Sequence, residues 1–204
     1  MAETHTFPID IDPAAQEQLF TEARTTYNWQ PTEVPDEVID AAYDLAKMGP
    51  TAMNCSPLRF KVVRSAAAKA KLAAAGGEIN QPKIEAAPLT LILAQSNGFY
   101  KHMPELFPHY PGVDQMYANN PELAASAAHD NALLQAGYLI LALRAVGLGV
   151  GPMNGADFSQ IATDFYEGTD CTPFLILNVG FPAEPANDFP RNPRLTYAQV
   201  AETI

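Results

Sequence analysis

Gly49 to Pro57 reads GPTAMNCSP. The residues before it, Val38, Ile39, Ala42, Leu45 and Ala46, fall on one face at helical spacing and predict a helix that opens at Pro35-Asp36. Gly49 closes that helix and Pro50 blocks its continuation. Just beyond the stretch, residues 59–63, RFKVV, read as a strand. GPTAMNCSP is therefore a helix-to-strand joint of loop composition, and it carries Cys55. A thiol nucleophile needs a base and an electropositive setting. The sequence near Cys55 supplies no such base, and the other reading is a small structural cysteine.

The chain has 204 residues, of which 48% are hydrophobic and 17% charged. That balance excludes a disordered chain and implies apolar surface covered by a partner chain. The formal net charge of -11 argues against nucleic acid and against an anionic membrane. An anionic ligand must then be held by clustered arginines or helix N-termini. Cys55 and Cys171 form no CxxC, and His5, His102, His109 and His129 have no metal-ligand spacing, so no metal is expected. The N-terminus has no apolar leader segment, which predicts a cytoplasmic protein. The apolar run from Ala132 to Val146, interrupted by Gln135 and Arg144, is too short for a membrane span and reads as a core or dimer helix.

Along the chain, residues 1–11 read as a loose arm, and Asp12-Pro13 opens a helix expected to reach Arg24. Ser65 caps an Ala/Lys-rich helix ending at Gly76-Gly77, and residues 88–94 read as a buried strand. Residues 97–121 are rich in Gly, Pro, His and aromatics, as in a lid or pocket wall. Asn120-Pro121 opens the longest helix, which ends at Gly147 or Gly149. VGPMNGAD (150–157) reads as a turn-rich junction, with Asp157 capping the next helix. PFLILNVGF (173–181) is the strongest strand. A proline-rich C-terminal arm, 182–204, follows, with a capping box at Thr196 and Gln199. This order predicts a single α+β or mixed α/β layered domain over 1–204.

Two clusters suggest a ligand. Arg24, with Thr25 and Thr26 beside it, and the pair Arg191 and Arg194 are either solvated charges or the guanidinium and hydroxyl set that a phosphate monoester requires. GPMNGAD either brings backbone N–H groups close to a flat ligand or is a turn with a helix cap. No GxGxxG, P-loop or GxSxG motif is present.

Taken in order, the Arg24-Thr25 pair, GPTAMNCSP, LFPH (106–109), NPELA (120–124), GPMNGAD and PRNPRL (190–195) resemble the nitroreductase family of FMN-dependent oxidoreductases. The resemblance runs from Leu19 to the C-terminus. It is nearest to the subgroup assigned to malonic semialdehyde reduction in pyrimidine breakdown. It implies an α+β sandwich with a central mixed or antiparallel sheet, flanked by helices. It also implies a homodimer with FMN at the subunit interface and C-terminal arms exchanged between subunits. By position, Arg24, Thr25 or Thr26, Arg191 and Arg194 would hold the FMN phosphate. Pro50, Thr51, Asn54 and Ser56 would lie along the flavin ring and ribityl chain, with Asn54 at the pyrimidine edge. Pro152, Met153, Asn154 and Gly155 would approach N5 and O4. The chain departs from many members at Tyr27, where they carry Arg or Lys, and at Asn154, where they carry Glu.

The implied reaction uses NADH or NADPH as a transient donor to reduce 3-oxopropanoate to 3-hydroxypropanoate. Arg59 is a candidate for the substrate carboxylate, or else a strand-edge surface residue. Tyr100, Tyr110 and Tyr117 are candidates for proton supply, or else packing. Competing readings are a nitroaromatic or quinone reductase of the same family, a flavin-binding protein without turnover, and a Cys55-dependent hydrolase.

Overall fold

Four strands make one antiparallel sheet: β1 (Leu58–Val63), β2 (Leu89–Ser96), β3 (Gly149–Met153) and β4 (Cys171–Gly180), in the order β1-β2-β4-β3. The computed structural model describes residues 10–204, so most of the expected N-terminal arm, residues 1–9, lies outside the described residues. Every residue of the central strand β2 is buried. Its side chains alternate between two cores, as a pleated strand requires. Leu89, Leu91 and Leu93 face helices α2 (Asp36–Ala46) and α7 (Pro121–Ala145). Ile92 and Ala94 face α3 (Ala66–Ala75) and, through Ile84 and Ile161, α4 (Gly77–Ala86) and α8 (Phe158–Tyr166). The result is a helix–sheet–helix α+β sandwich.

The helix starts follow their caps. The side chains of Ser65, Asn120 and Asp157 accept from the backbone N–H of Ala68, Leu123 and Gln160. Thr196 and Gln199 form a reciprocal capping box at α9 (Tyr197–Val200). Helix α7 is about 37 Å long at 1.5 Å per residue. Ala128, Ala132, Ala136, Leu139 and Leu143 bury one side of it. Leu123, Leu134 and Tyr138 stand out on another side, at 41%, 54% and 42% exposure. Among the described residues no helix is long and apolar enough to cross a membrane.

The structure corrects two local expectations, at the first helix and at VGPMNGAD, and refines two others. The first helix does not reach Arg24. Helix α1 (Pro13–Gln16) widens into a π turn at Glu17–Thr21, where the Glu22 N–H donates to the Glu17 carbonyl, and the chain then extends. The Ala/Lys-rich helix ends where expected, α3 closing at Gly76, but the segment after it is helical too. Gly77, at φ +63°, redirects the chain into α4, which buries Asn80 and Ile84 despite Pro82 inside it. Tertiary burial has outweighed the local breakers there. VGPMNGAD is a strand for its first half rather than a junction, because β3 is an edge strand on which Pro152 is tolerated. Residues 97–121 are mostly short helical turns, including α5 (Met103–Leu106) and α6 (Val113–Ala118). They enclose a third core with Cys55, Phe99, Met103 and Tyr117.

Candidate functional site

The segment after the π turn lies along the outer edge of β3. Thr25 bridges Val150, and the Thr26 N–H donates to the Val150 carbonyl at 3.0 Å. Glycine makes this approach possible. A Cβ on Gly149 would sit 2.5 Å from Thr26 Oγ1, and one on Gly151 would sit 2.9 Å from the Thr26 carbonyl. The proline-rich arm folds back over the same segment. Tyr27 and Asn28 donate their N–H groups to the Ala186 carbonyl, and Asn187 Nδ2 donates to the Thr25 carbonyl at 2.7 Å.

That segment, the arm and Arg144 at the end of α7 line a polar cavity of about 320 Å³ that holds Arg24, Arg144, Arg191 and Arg194. Arg24 Nη2 donates to the Phe189 carbonyl at 2.7 Å, and Arg191 Nη2 donates to the Ala23 carbonyl at 3.3 Å. The arginines thus stitch the arm to the N-terminal segment through carbonyls. Among the described residues none of the four pairs with a carboxylate. Burial, then the neighbouring Arg191 charge, pulls the Arg144 guanidinium below its usual range. In a chain of net charge -11, four guanidiniums without a carboxylate partner in one cavity are a setting suited to a multiply charged anion.

Beyond β3, Asn154 and Gly155 are exposed while the Met153 side chain enters the core. Helix α4 braces this bend. Asn80 Nδ2 donates to the Gly155 carbonyl at 2.7 Å, and Lys83 Nζ donates to Asn80 Oδ1 at 3.1 Å. The Lys83 ammonium also lies 5.5 Å from the centre of the Tyr27 ring, a cation–π distance. So a positive charge stands beside Tyr27 although residue 27 itself carries none.

The GPTAMNCSP loop is built differently. Met53, Asn54 and Ser56 have φ of 51°, 55° and 41°. Three non-glycine residues in the left-handed region within four positions represent stored strain of about 1–2 kcal/mol each. Two buried amides on α7 hold the loop at its ends. Asn131 Oδ1 accepts from the Ala52 N–H at 2.7 Å, and Gln135 Oε1 accepts from the Leu58 N–H at 2.9 Å. Arg59 Nη1 donates to the carbonyls of Ser56 and Leu58, and Asn54 Nδ2 donates to the Leu106 carbonyl of α5. The Tyr138 ring covers Gly49, where a Cβ would sit 2.5 Å from a ring carbon. The groove beside the loop, about 580 Å³, is lined by Asn54, Ser56, Arg59, His102, Glu105 and other residues.

A family model for the nitroreductase family matches residues 21–181. This chain belongs to the nitroreductase family. A Streptomyces coelicolor protein named as an NADH dehydrogenase/NAD(P)H nitroreductase is 46% identical over 194 residues, covering 95% of this chain and 98% of that protein. A relative of the same name from Caulobacter is 42% identical over 194 residues, at the same coverage. The fold is shared with a solved Exiguobacterium sibiricum structure described as a nitroreductase in complex with FMN. Its TM-score is 0.82 at 20% identity, covering 98% of this chain and 100% of that one. It is shared too with a Staphylococcus epidermidis chain described as an NAD(P)H:FMN oxidoreductase, with a TM-score of 0.80, 21% identity and coverage of 96% and 98%.

In this nitroreductase-family chain, the structure gathers Arg24, Thr25, Arg191 and Arg194 around one cavity, sets Thr26 against β3, and places Pro152 and Met153 at the end of that strand with Asn154 and Gly155 just beyond it. It does not bring the loop residues Pro50, Thr51, Asn54 and Ser56 to that cavity. Both places are tied to α7, the loop through Asn131 and the cavity through Arg144, about 20 Å apart along the helix. Arg59 lines the groove beside the loop, but Tyr117 does not. Tyr117 is buried against Phe99, their ring centres 4.9 Å apart, and Tyr100 packs against the same core. Cys55 is fully buried there too, and burial raises its thiol above the usual range, the reverse of what a nucleophile needs. Sequence reasoning missed Arg144, Asn131, Gln135, Asn80 and Lys83. For Gln135 and Arg144 the available signal was a polar residue interrupting an apolar helical run; Asn80 and Lys83 lie in a polar segment that carries no such signal.

Proposed function

We propose that the chain is an FMN-dependent oxidoreductase of the cytoplasm that uses NADH or NADPH to reduce a small carbonyl acceptor, 3-oxopropanoate, to 3-hydroxypropanoate. The observation that carries the cofactor is the cavity of four guanidiniums without a carboxylate partner, set beside the β3 edge. The donor set fits a phosphate monoester at one end and a flat, hydrogen-bonding ring at the other. Arg24, Arg191 and Arg194 hold the phosphate, with the hydroxyls of Thr25 and Thr26 nearby. The backbone from Pro152 to Gly155 and Asn154 meet the ring. Lys83, braced by Asn80, supplies the positive charge that Tyr27 lacks and so favours an electron-rich ring. When bound, FMN supplies the hydride transfer. Pro50, Thr51, Asn54 and Ser56 orient the ring and exclude water from the acceptor side, and Arg59 is offered to the acceptor carboxylate.

The 20 Å between the loop and the arginine cavity favours a homodimer, in which the loop of one subunit completes the site of the other. The apolar side of α7 that carries Leu134 and Tyr138, and the exposed arm residues Phe189, Leu195, Tyr197 and Val200, are the surfaces that such a partner would cover, while the expected exchange of the whole arm gives way to an arm tied to its own chain through Arg24 and Arg191. The names of the curated relatives support NAD(P)H as the donor and keep nitroaromatic reduction as a second reading.

The test is reconstitution with FMN, followed by anaerobic addition of NADH or NADPH and steady-state kinetics. Bleaching of the flavin with turnover of 3-oxopropanoate is expected. Turnover of menadione or nitrofurazone without 3-oxopropanoate replaces the acceptor. Bound flavin that neither nucleotide bleaches leaves a flavin-binding protein, and a chain that takes up no FMN ends the reading. Cys55→Ala is expected to retain activity within about two-fold, since a buried thiol of raised pKa takes no part.

A further inference from the structure

Arg144 is the one arginine of the cavity that comes from the core rather than from an extended segment. It stands in the last turn of α7, and its backbone carbonyl accepts from Gln18 Nε2 at 2.7 Å. Its Nη1 donates to the Leu19 carbonyl at 3.1 Å. Its Nε is buried with no partner, the one buried side-chain nitrogen or oxygen so left among the described residues. No hydrogen bond engages Nη2 among those residues. The guanidinium lines both the arginine cavity and an adjoining one of about 240 Å³, which it shares with Arg24 and Thr26. A partly desolvated cation with an unsatisfied N–H, near a second cation, is an unfavourable arrangement in the free chain. Glu17 and Glu22 line the adjoining cavity, but neither pairs with it.

We infer that Arg144 is a fourth phosphate-holding guanidinium, the deep wall of the site whose outer walls are Arg24 on one side and Arg191 with Arg194 on the other. This rests on the cofactor reading above and adds to it a residue and a consequence. A dianion in the cavity offsets the desolvated Arg144 charge and relieves its repulsion with Arg191. The same dianion touches three parts of the chain that are far apart in sequence: the Ala23–Tyr27 segment, the end of α7 and the C-terminal arm. Phosphate binding therefore fastens the arm to the core, and a flavin without the phosphate does not.

The experiment compares FMN with riboflavin on the full chain by fluorescence titration, and follows proteolysis of the arm by mass spectrometry. In wild type, FMN is expected to bind more tightly than riboflavin and to slow cleavage within residues 187–204, with riboflavin slowing it little. Arg144→Met keeps the length of the side chain and removes the charge. It is expected to weaken FMN about 10- to 100-fold, the range for a charge-assisted contact, and to leave riboflavin unchanged. Arg144→Lys, which keeps the charge without the planar fork, is expected to fall between. Equal losses for both flavins, or none for FMN, in both variants overturn the inference and leave Arg144 a structural residue. Wild type that binds neither flavin overturns the cofactor reading instead.

Discussion

The two ends of the proposed site are made by opposite means. The arginine cavity is assembled from side chains on extended backbone, held by carbonyls and left with excess positive charge. The GPTAMNCSP loop is assembled from backbone, with three residues forced into left-handed conformations and pinned by two buried amides. In the proposed site the first end would read charge and the second shape. Substitutions in the first should therefore act on affinity for an anion, and substitutions in the second on stability and ring geometry.

The sharpest way to break that contrast is the double variant Arg24→Ala/Arg191→Ala. Its affinity for FMN should fall about 10²- to 10³-fold, as expected for losing two charge-assisted contacts, while riboflavin binding holds. Parallel losses for both flavins, measured by fluorescence titration, would show that the arginines serve the fold instead. Next in size is Gln135→Leu, which leaves the buried Leu58 N–H without an acceptor. Urea denaturation should show a loss of about 1–3 kcal/mol, with the ratio of FMN to riboflavin affinity unchanged. Gly49→Ala forces the Tyr138 ring aside and should cost about 1–3 kcal/mol in the same assay. A neutral result there would mean that the ring moves freely and the loop is less constrained than its packing implies. The smallest effect is expected from Met53→Gly, which relieves one left-handed residue at some cost in chain entropy. It should stabilise the protein by about 0.5 kcal/mol in thermal melts while lowering turnover.

Much of this was legible in the sequence. The strands at 59–63, 88–94 and 173–181, the long helix and the caps at Ser65, Asn120 and Asp157 all lie where propensity and hydrogen-bonding residues set them. Arg24, Arg191 and Arg194 were visible as a possible anion set, but only the family resemblance set residue 24 beside residue 191, since no local pattern does. What stayed hidden depends on packing. Gln135 and Arg144 looked like mere interruptions of an apolar run, yet each anchors one end of the proposed site. Asn80 and Lys83 lay behind a double glycine and a proline, where breakers masked a helix that burial sustains. Polar residues in an apolar helix say that something must satisfy them. They do not say what, because the partner is elsewhere in the chain.

Helix α7 carries a holder for each end of the proposed site, and in the proposed dimer those holders belong to different active centres. The consequence is genetic. A subunit with a ruined loop still has a sound arginine cavity, and a subunit with a ruined cavity still has a sound loop. Neither allele alone yields a working centre. Refolded together at equal amounts, they should recover about a quarter of wild-type activity, because half the dimers are mixed and each mixed dimer has one intact centre. Two dead alleles that rescue one another would read the shared architecture directly from phenotype.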